Sequence, residues 1–183
     1  MKLETTSLQL RLLQTSDLKA VHDLHSMPEV ARYNTLAIPQ KLVETEIIIA
    51  PLVAANTQEF ISNYTFVIET KEDYEFVGLF GLKLGKTKYN NAEIWYKLDP
   101  QHWNKGFATE AVKCVFDFGF NHLKLHRIHA GSAVENFSSI NVLEKVGMIR
   151  EGHARKTLPL LTGWSDNYEY AILDTDFIEN KKR

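Results

Sequence analysis

Residues 92–111 read A-E-I-W-Y-K-L-D-P-Q-H-W-N-K-G-F-A-T-E-A, an apolar run that enters a glycine turn and leaves it as a helix. Gly106 has no side chain, so a ligand can approach the main chain closely there. The N–H groups of Asn104, Lys105, Gly106, Phe107, Ala108 and Thr109 can turn toward one anion at the start of the helix. The helix dipole favours negative charge at that end, and Lys105 can add a mobile positive charge. Phosphate binding is the chemistry such a turn can do. An ordinary strand-to-helix connection has the same composition, so the turn alone leaves both readings open. It is not a P-loop, because the second glycine and the G-K-[ST] ending are missing, and it lacks the three spaced glycines of a dinucleotide fingerprint.

A second segment, N-F-S-S-I-N-V-L-E-K-V-G-M at residues 136–148, follows another strand-like run. Asn136 can shape a turn or present its side-chain amide to a ligand. Ser139 can donate a proton or cap the helix, and Ser138 competes for the cap. Glu93 is a general-base candidate or a solvated strand carboxylate, and Asp166 is a second candidate for the base. His122, His126 and His129 are close in sequence but fall on a helix end, a connection and a strand. They share no face, and no metal site is expected. Cys114 sits in the apolar part of a helix and reads as a buried core thiol. Trp95, Tyr96, Trp103 and Trp164 read mostly as core, with Trp95 and Trp103 flanking the first segment.

These groups need strands that end beside helix starts. Residues 8–13 alternate as a first strand, and Thr15 or Ser16 can cap a helix that runs to about Met27. A second helix is expected from near Pro39 to Ala55, kinked at Pro51. Residues 64–69 and 76–84 read as a hairpin joined by K-E-D-Y-E, followed by a strand at 92–98. From Gly106 to about Leu123 the period changes to 3.6, with Ala108, Ala111, Val112, Val115, Phe116 and Gly119 on one stripe. Residues 127–134 form the next strand, Gly147 is placed to end the short helix after Asn136, and residues 148–151 and 168–173 close the sheet. Strands and helices in this order predict an α/β layer protein, its sheet lying between helices. Residues 180–183 read as a frayed tail.

With 183 residues the chain is long enough for one domain, taken here as residues 1–183. The formal charge of −2 gives no broad basic surface, which argues against general nucleic-acid binding. A single cysteine permits no internal disulfide. The N-terminus lacks a signal-peptide pattern, and the apolar run at residues 47–55 is too short to span a bilayer. A soluble, cytoplasmic protein without a membrane partner is the expectation.

The linked motifs resemble the GNAT superfamily of acetyl-CoA-dependent N-acetyltransferases, over nearly the whole chain from residue 8 to 173. The family's [Q/R]-x-x-G-x-[G/A] turn is matched in spacing by W-N-K-G-F-A, where Gly106 and Ala108 agree and Trp103 departs. The branch of ribosomal-protein N-terminal acetyltransferases (RimJ/RimL type) is similar in its A-E-I-G-Y-x-L strand, its G-x-A-x-E-A turn and its N-x-x-S-x-x-V-L-E-K-x-G-F-x-x-E-G segment. Here these are residues 92–98, 106–111 and 136–152, with Met148 in place of the usual aromatic. A closing glycine-to-acid element runs from Gly163 to Asp166 or Asn167.

The resemblance implies a mixed, largely antiparallel sheet in which the strand ending at Leu98 splays from its neighbour to take the cofactor. Main-chain groups of Tyr96, Lys97 and Leu98 would pair with the pantetheine arm, amides from Asn104 to Thr109 would hold the pyrophosphate, and Asn136 would offer its side chain to the arm. Ser139 would protonate the leaving thiolate and Glu93 would serve as base. The acceptor is a small-molecule amine or a protein N-terminus, with polyamines, amino acids and aminoglycosides open. An acyl-CoA-binding module without catalysis and a transferase of longer acyl groups are the competing readings. A homodimer is an assembly the family often shows. About a tenth of an α-amine of pKa near 8 is neutral at pH 7, whereas a lysine amine must first lose about 4.6 kcal/mol of protonation free energy. An ill-defined base therefore suits an α-amine.

Overall fold

In a computed structural model, which describes residues 1–180, the chain opens with a hairpin of β1 (Lys2–Glu4) and β2 (Leu8–Leu12). β1 escapes the sequence reading because it is short and largely exposed. β2 is covered on both faces. Leu8 and Leu10 enter the main core, and Gln9 donates from Nε2 to Glu69 Oε2 at 2.7 Å. The helix cap expected at Thr15 or Ser16 is made differently. Asp17 Oδ2 accepts the Gln14 N–H at 2.8 Å, at a single 3-10 turn, Thr15–Asp17. Asp17 is preferred because it also takes both terminal nitrogens of Arg11, at 2.7 and 2.8 Å.

α1 (Leu18–Ser26) and a four-residue α2 (Pro28–Ala31) follow, the latter set off by the extended Met27. α3 (Leu42–Asn56) begins three residues beyond Pro39, and Glu44 Oε2 accepts the Gln40 N–H at 2.7 Å before it. α3 runs as one helix through Pro51, which lies on its exposed side. β3 (Asn63–Thr70), β4 (Phe76–Leu84) and β5 (Asn91–Leu98) form an antiparallel meander close to the expected bounds.

α4 (Phe107–Asp117) continues as a π-helical turn, Phe118–His122, which together fill the expected helix. Then come β6 (Arg127–Ala133) and α5 (Phe137–Lys145). α5 ends at Gly147 as expected: the Gly147 N–H donates to Glu144 O and the Met148 N–H to Leu143 O, both at 3.0 Å.

β7 (Ile149–Leu160) and β8 (Gly163–Leu173) make a hairpin much longer than the expected strands. Most of β7 is exposed and its register shifts between Ala154 and Leu158, so it lacks the alternation that marks a strand. α6 (Asp174–Asn180) is also unforeseen; its Phe177 ring packs 4.9 Å from Phe120. Asn180 therefore belongs to a helix, and the rest of the expected tail lies outside the described residues.

The eight strands form one sheet in the order β1-β2-β3-β4-β5-β6-β8-β7, antiparallel except at β5–β6. One face carries the main core, to which α4 contributes the buried Ala111, Val112, Val115 and Phe116. Burying a valine or phenylalanine fully is worth roughly 1.5–3 kcal/mol, which fixes α4 and hence the turn before it. The other face is covered by α1 and α3 through Leu13, Val21, Leu24, Ile49, Val67 and Leu79.

Candidate functional site

β5 and β6 run side by side for only three rungs: Asn91 with Arg127, Ala92 with Ile128, Glu93 with His129. Beyond them β6 stays with β8 through Ala133, while β5 stays with β4 through Leu98. The edge of β5 over residues 94–98 is thus left without a strand partner, and its outward N–H and C=O groups can pair with an extended ligand.

At the end of β5 the Asp99 carboxylate accepts the Gln101 N–H at 2.9 Å and starts a 3-10 turn, Pro100–His102. The Trp103 indole N–H then donates to Leu98 O at 2.8 Å. This ties the loop to the strand. It also engages one of the carbonyls that the sequence reading assigns to the cofactor arm. Asn104 and Gly106 both take positive φ, 60° and 83°. A Cβ placed on Gly106 would meet no atom within 4 Å, so the space above the turn is open. The first hydrogen bond into α4 runs from the Glu110 N–H to Gly106 O at 3.0 Å. Among the described residues, the main-chain N–H groups of Asn104, Lys105, Gly106, Phe107, Ala108 and Thr109 have no partner. Six donors, a helix N-terminus and the exposed Lys105 together suit a diphosphate.

α5 begins where β6 ends, and its cap is Asn136: Oδ1 accepts the Ser139 N–H at 3.2 Å. The cap expected of Ser138 or Ser139 is therefore supplied by the asparagine. This leaves the Ser139 hydroxyl available. It lies 3.1 Å from the Tyr96 hydroxyl, a contact the sequence reading missed because it used only the main chain of Tyr96. The Tyr96 ring stacks on Phe80 at 5.9 Å, and burial pushes its hydroxyl up to about 12, so it stays protonated.

Glu93 occupies the last shared rung and is exposed. By strand alternation it shares a face with Trp95 and Lys97, opposite Tyr96. Asp166 is engaged elsewhere: it accepts the Lys156 N–H at 3.0 Å and bonds His153 Nε2 at 2.8 Å. The main-chain bond and then the histidine hold its carboxyl below the usual range.

Cys114 is half-buried rather than core, its Sγ 3.9 Å from Glu4 O, and burial raises the thiol to about 11. Trp103 and Trp164 are 42% and 63% exposed, so the expectation of core for these two does not hold. Among the described residues no three His, Cys, Asp or Glu side chains converge on one point, and no helix is long and apolar enough to cross a membrane.

The family described as the acetyltransferase (GNAT) domain matches residues 7–149. The chain belongs to the GNAT acetyltransferase family. It is an N-acetyltransferase, and enzymes of this family draw on acetyl-CoA and move the acetyl group to an amine. This GNAT chain is 31% identical over 97% of its length to the uncharacterized N-acetyltransferase YnaD of Bacillus subtilis, covering 99% of that protein. It is 42% identical to the probable N-acetyltransferase YjcK of the same organism, over 62% of this chain and 63% of that one. Among solved structures, a GNAT-family acetyltransferase from Bacillus anthracis superposes with a TM-score of 0.82 at 30% identity, over 96% of this chain and 99% of that chain. Spermidine N-acetyltransferase from Vibrio cholerae, in complex with CoA and spermine, reaches 0.83 at 25% identity, over 95% of this chain and 99% of that chain.

Proposed function

We propose that residues 1–183 form one domain that acetylates the α-amine of an amino acid or a protein N-terminus, with acetyl-CoA bound across the β5–β6 split. The observation that carries this reading is the row of unpartnered amides at residues 104–109, beside an open glycine and an unpaired strand edge. Those amides hold the pyrophosphate. The free edge of β5 pairs with the pantetheine at Tyr96, with the contribution of the Leu98 carbonyl shared with Trp103; the Lys97 main chain, expected to join them, turns to Leu79 of β4 instead. The Asn136 Oδ1 is committed to its cap, so only its Nδ2 faces this task.

Acetyl-CoA, when bound, supplies the activated acetyl group. Ser139, coupled to Tyr96, returns a proton to the departing thiolate, and a thiol of pKa near 8.5 needs little help to leave. Glu93, on the opposite face, receives the proton from the amine directly or through water. A lysine or polyamine amine must first lose about 4.6 kcal/mol of protonation free energy at pH 7, and an α-amine much less, which favours the α-amine. The relationship to the ribosomal-protein N-terminal acetyltransferase branch, the cytoplasm as compartment and a homodimer as assembly are carried over from the motif resemblance.

The test is calorimetry with CoA, with thiol release from acetyl-CoA followed across a panel of amines. Wild type is expected to bind CoA and to turn over, while Gly106→Glu, which puts a carboxylate among the amides at a positive-φ site, binds no CoA. Unchanged affinity in the variant refutes the placement.

A further inference from the structure

The face of the sheet toward α1 and α3 holds a cation without a counter-ion. Ile94, Tyr96 and Leu98 turn to the main core, so Trp95 and Lys97 turn to this other face. Trp95 packs against the second core, and its indole lies across Gly81, where a Cβ would fall 2.1 Å from the ring. Lys97 stands opposite Leu79, a buried member of that core, with Nζ 5.6 Å from the centre of the Trp95 ring. Among the described residues its ammonium makes no hydrogen bond and no ion pair. Burial brings it down to about 8, with no carboxylate pulling it back up. Glu93, the acidic residue on the same strand face, lies four residues away, about 13 Å along an extended chain.

α1 brings His25 to the same place. It is 8% exposed, and neither ring nitrogen has a hydrogen-bond partner. Burial first, then the charges of Lys97 and His22, hold it down at about 4. His22 is already engaged, with Nδ1 2.7 Å from the Thr45 hydroxyl. Buried polar groups are normally satisfied, and a buried cation is costly unless paired. Here a lysine and a neutral histidine that feels its charge both lack a hydrogen-bond or ionic partner, beside the stretch of β5 that has left β6.

We infer that Lys97 and His25 form an anion-receiving subsite, and that the acceptor is a free amino acid whose carboxylate is held there while its amine reaches the split. This rests on the acetyl-transfer reading of the split. The Lys97 ammonium pairs with one carboxylate oxygen. The enclosed His25 stands behind it as donor to the second oxygen once side chains rearrange around the ligand, and the Trp95 indole forms the wall beside them. A polyamine has no anion to offer and brings positive charge to an ammonium, which repels it.

The experiment compares free amino acids with the matching amino-acid amides, the amino-terminated dipeptides and spermidine in acetyl-CoA turnover, for wild type, Lys97→Met and Lys97→Arg. In parallel, calorimetry reads amino-acid binding to the CoA-loaded protein. The neighbouring carboxylate makes an amine harder to deprotonate, so a preference for the acid over its amide has to come from binding. The expected result is a preference for the acid that disappears in Lys97→Met through a rise in acceptor KM on the order of tenfold to a hundredfold. The KM for acetyl-CoA and kcat hold steady, and Lys97→Arg restores most of the preference. Wild type that uses amides, dipeptides or spermidine as well as acids overturns the inference. So does a Lys97→Met variant that keeps the preference, or one that loses kcat with KM unchanged. Absence of thiol release with every amine overturns the transferase reading alone. In that case saturable heat with the acid, lost with the amide and in Lys97→Met, still supports the subsite, and no heat overturns it.

Discussion

Tyr96 and Ser139 meet across the split, one from β5 and one from the first turn of α5, with their hydroxyls 3.1 Å apart. Either oxygen can donate, and burial keeps the phenol protonated well above neutral pH. A thiolate leaving near this pair would take its proton from Ser139, and Tyr96 would restore it. Tyr96→Phe keeps the ring on Phe80 and removes only the hydroxyl, so the fold has little to lose. We expect kcat to fall about a hundredfold, the low end of what one positioned proton donor contributes because a thiol leaves readily, in both Tyr96→Phe and Ser139→Ala. CoA affinity by calorimetry should stay unchanged, and the double variant should lose little more than either single one, because the two act as a unit. Equal losses of CoA affinity and turnover would instead mark the pair as cofactor contacts. At this scale the sequence is informative where chemistry sits in the main chain. Gly106 marks the turn because its φ of 83° favours glycine, and the linked motifs around it point to the amides. The hydroxyl pair and the Lys97–His25 pair are invisible, since each joins residues more than forty positions apart and depends on which face of β5 a side chain takes.

α1 shows how an element carries a titration. Its Val21 and Leu24 are fully buried in the second core, and His25 follows them inward as a neutral ring. The folded-state pKa of about 4 lies below the unfolded value near 6.5, so between these values the unfolded chain binds more protons. The contribution of the neutral ring to stability is present above pH 6.5 and is lost as pH falls toward 4. Denaturant titrations of wild type and His25→Leu between pH 7 and pH 4 should therefore diverge, with the variant spared a loss on the order of 2–3 kcal/mol. Parallel curves would show that His25 ionises normally in the fold. Helices announce themselves when an apolar stripe recurs, as in α4, and their ends when glycine closes them, as at Gly147. Caps are harder to read. Asn136 and Ser139 are both good caps, and only the path of the chain leaving β6 selects the asparagine. The β7–β8 hairpin is legible only in part because its exposed residues have no core face to alternate against, and bulges break what alternation there is.

Across the whole molecule the sheet has a weak seam. β1 to β5 form one hydrogen-bonded block and β6 to β8 another, and three rungs join them. The layer order follows from the sequence of elements, whereas the largely antiparallel sheet and the seam come only from the motif resemblance, because residues 94–98 and 130–133 read as good strands whether or not they pair. A ligand that pairs with the β5 edge and is gripped at the start of α4 would draw its stabilising contacts from the seam itself. At a hundredfold excess over its Kd, CoA stabilises the folded state by about 2.7 kcal/mol, which for a protein of this size raises Tm by roughly 5–10 °C. The location of the effect is more diagnostic than its size. Hydrogen exchange should slow on CoA addition in two places, the outward-facing amides of Tyr96 and Leu98 and those of residues 104–109, because neither set is bonded within a strand or helix in the free protein. The β2–β3 pairing, already complete, should change little. Protection that arises instead around α6, or a thermal shift that survives in Gly106→Glu, would place the nucleotide elsewhere and detach the seam from function.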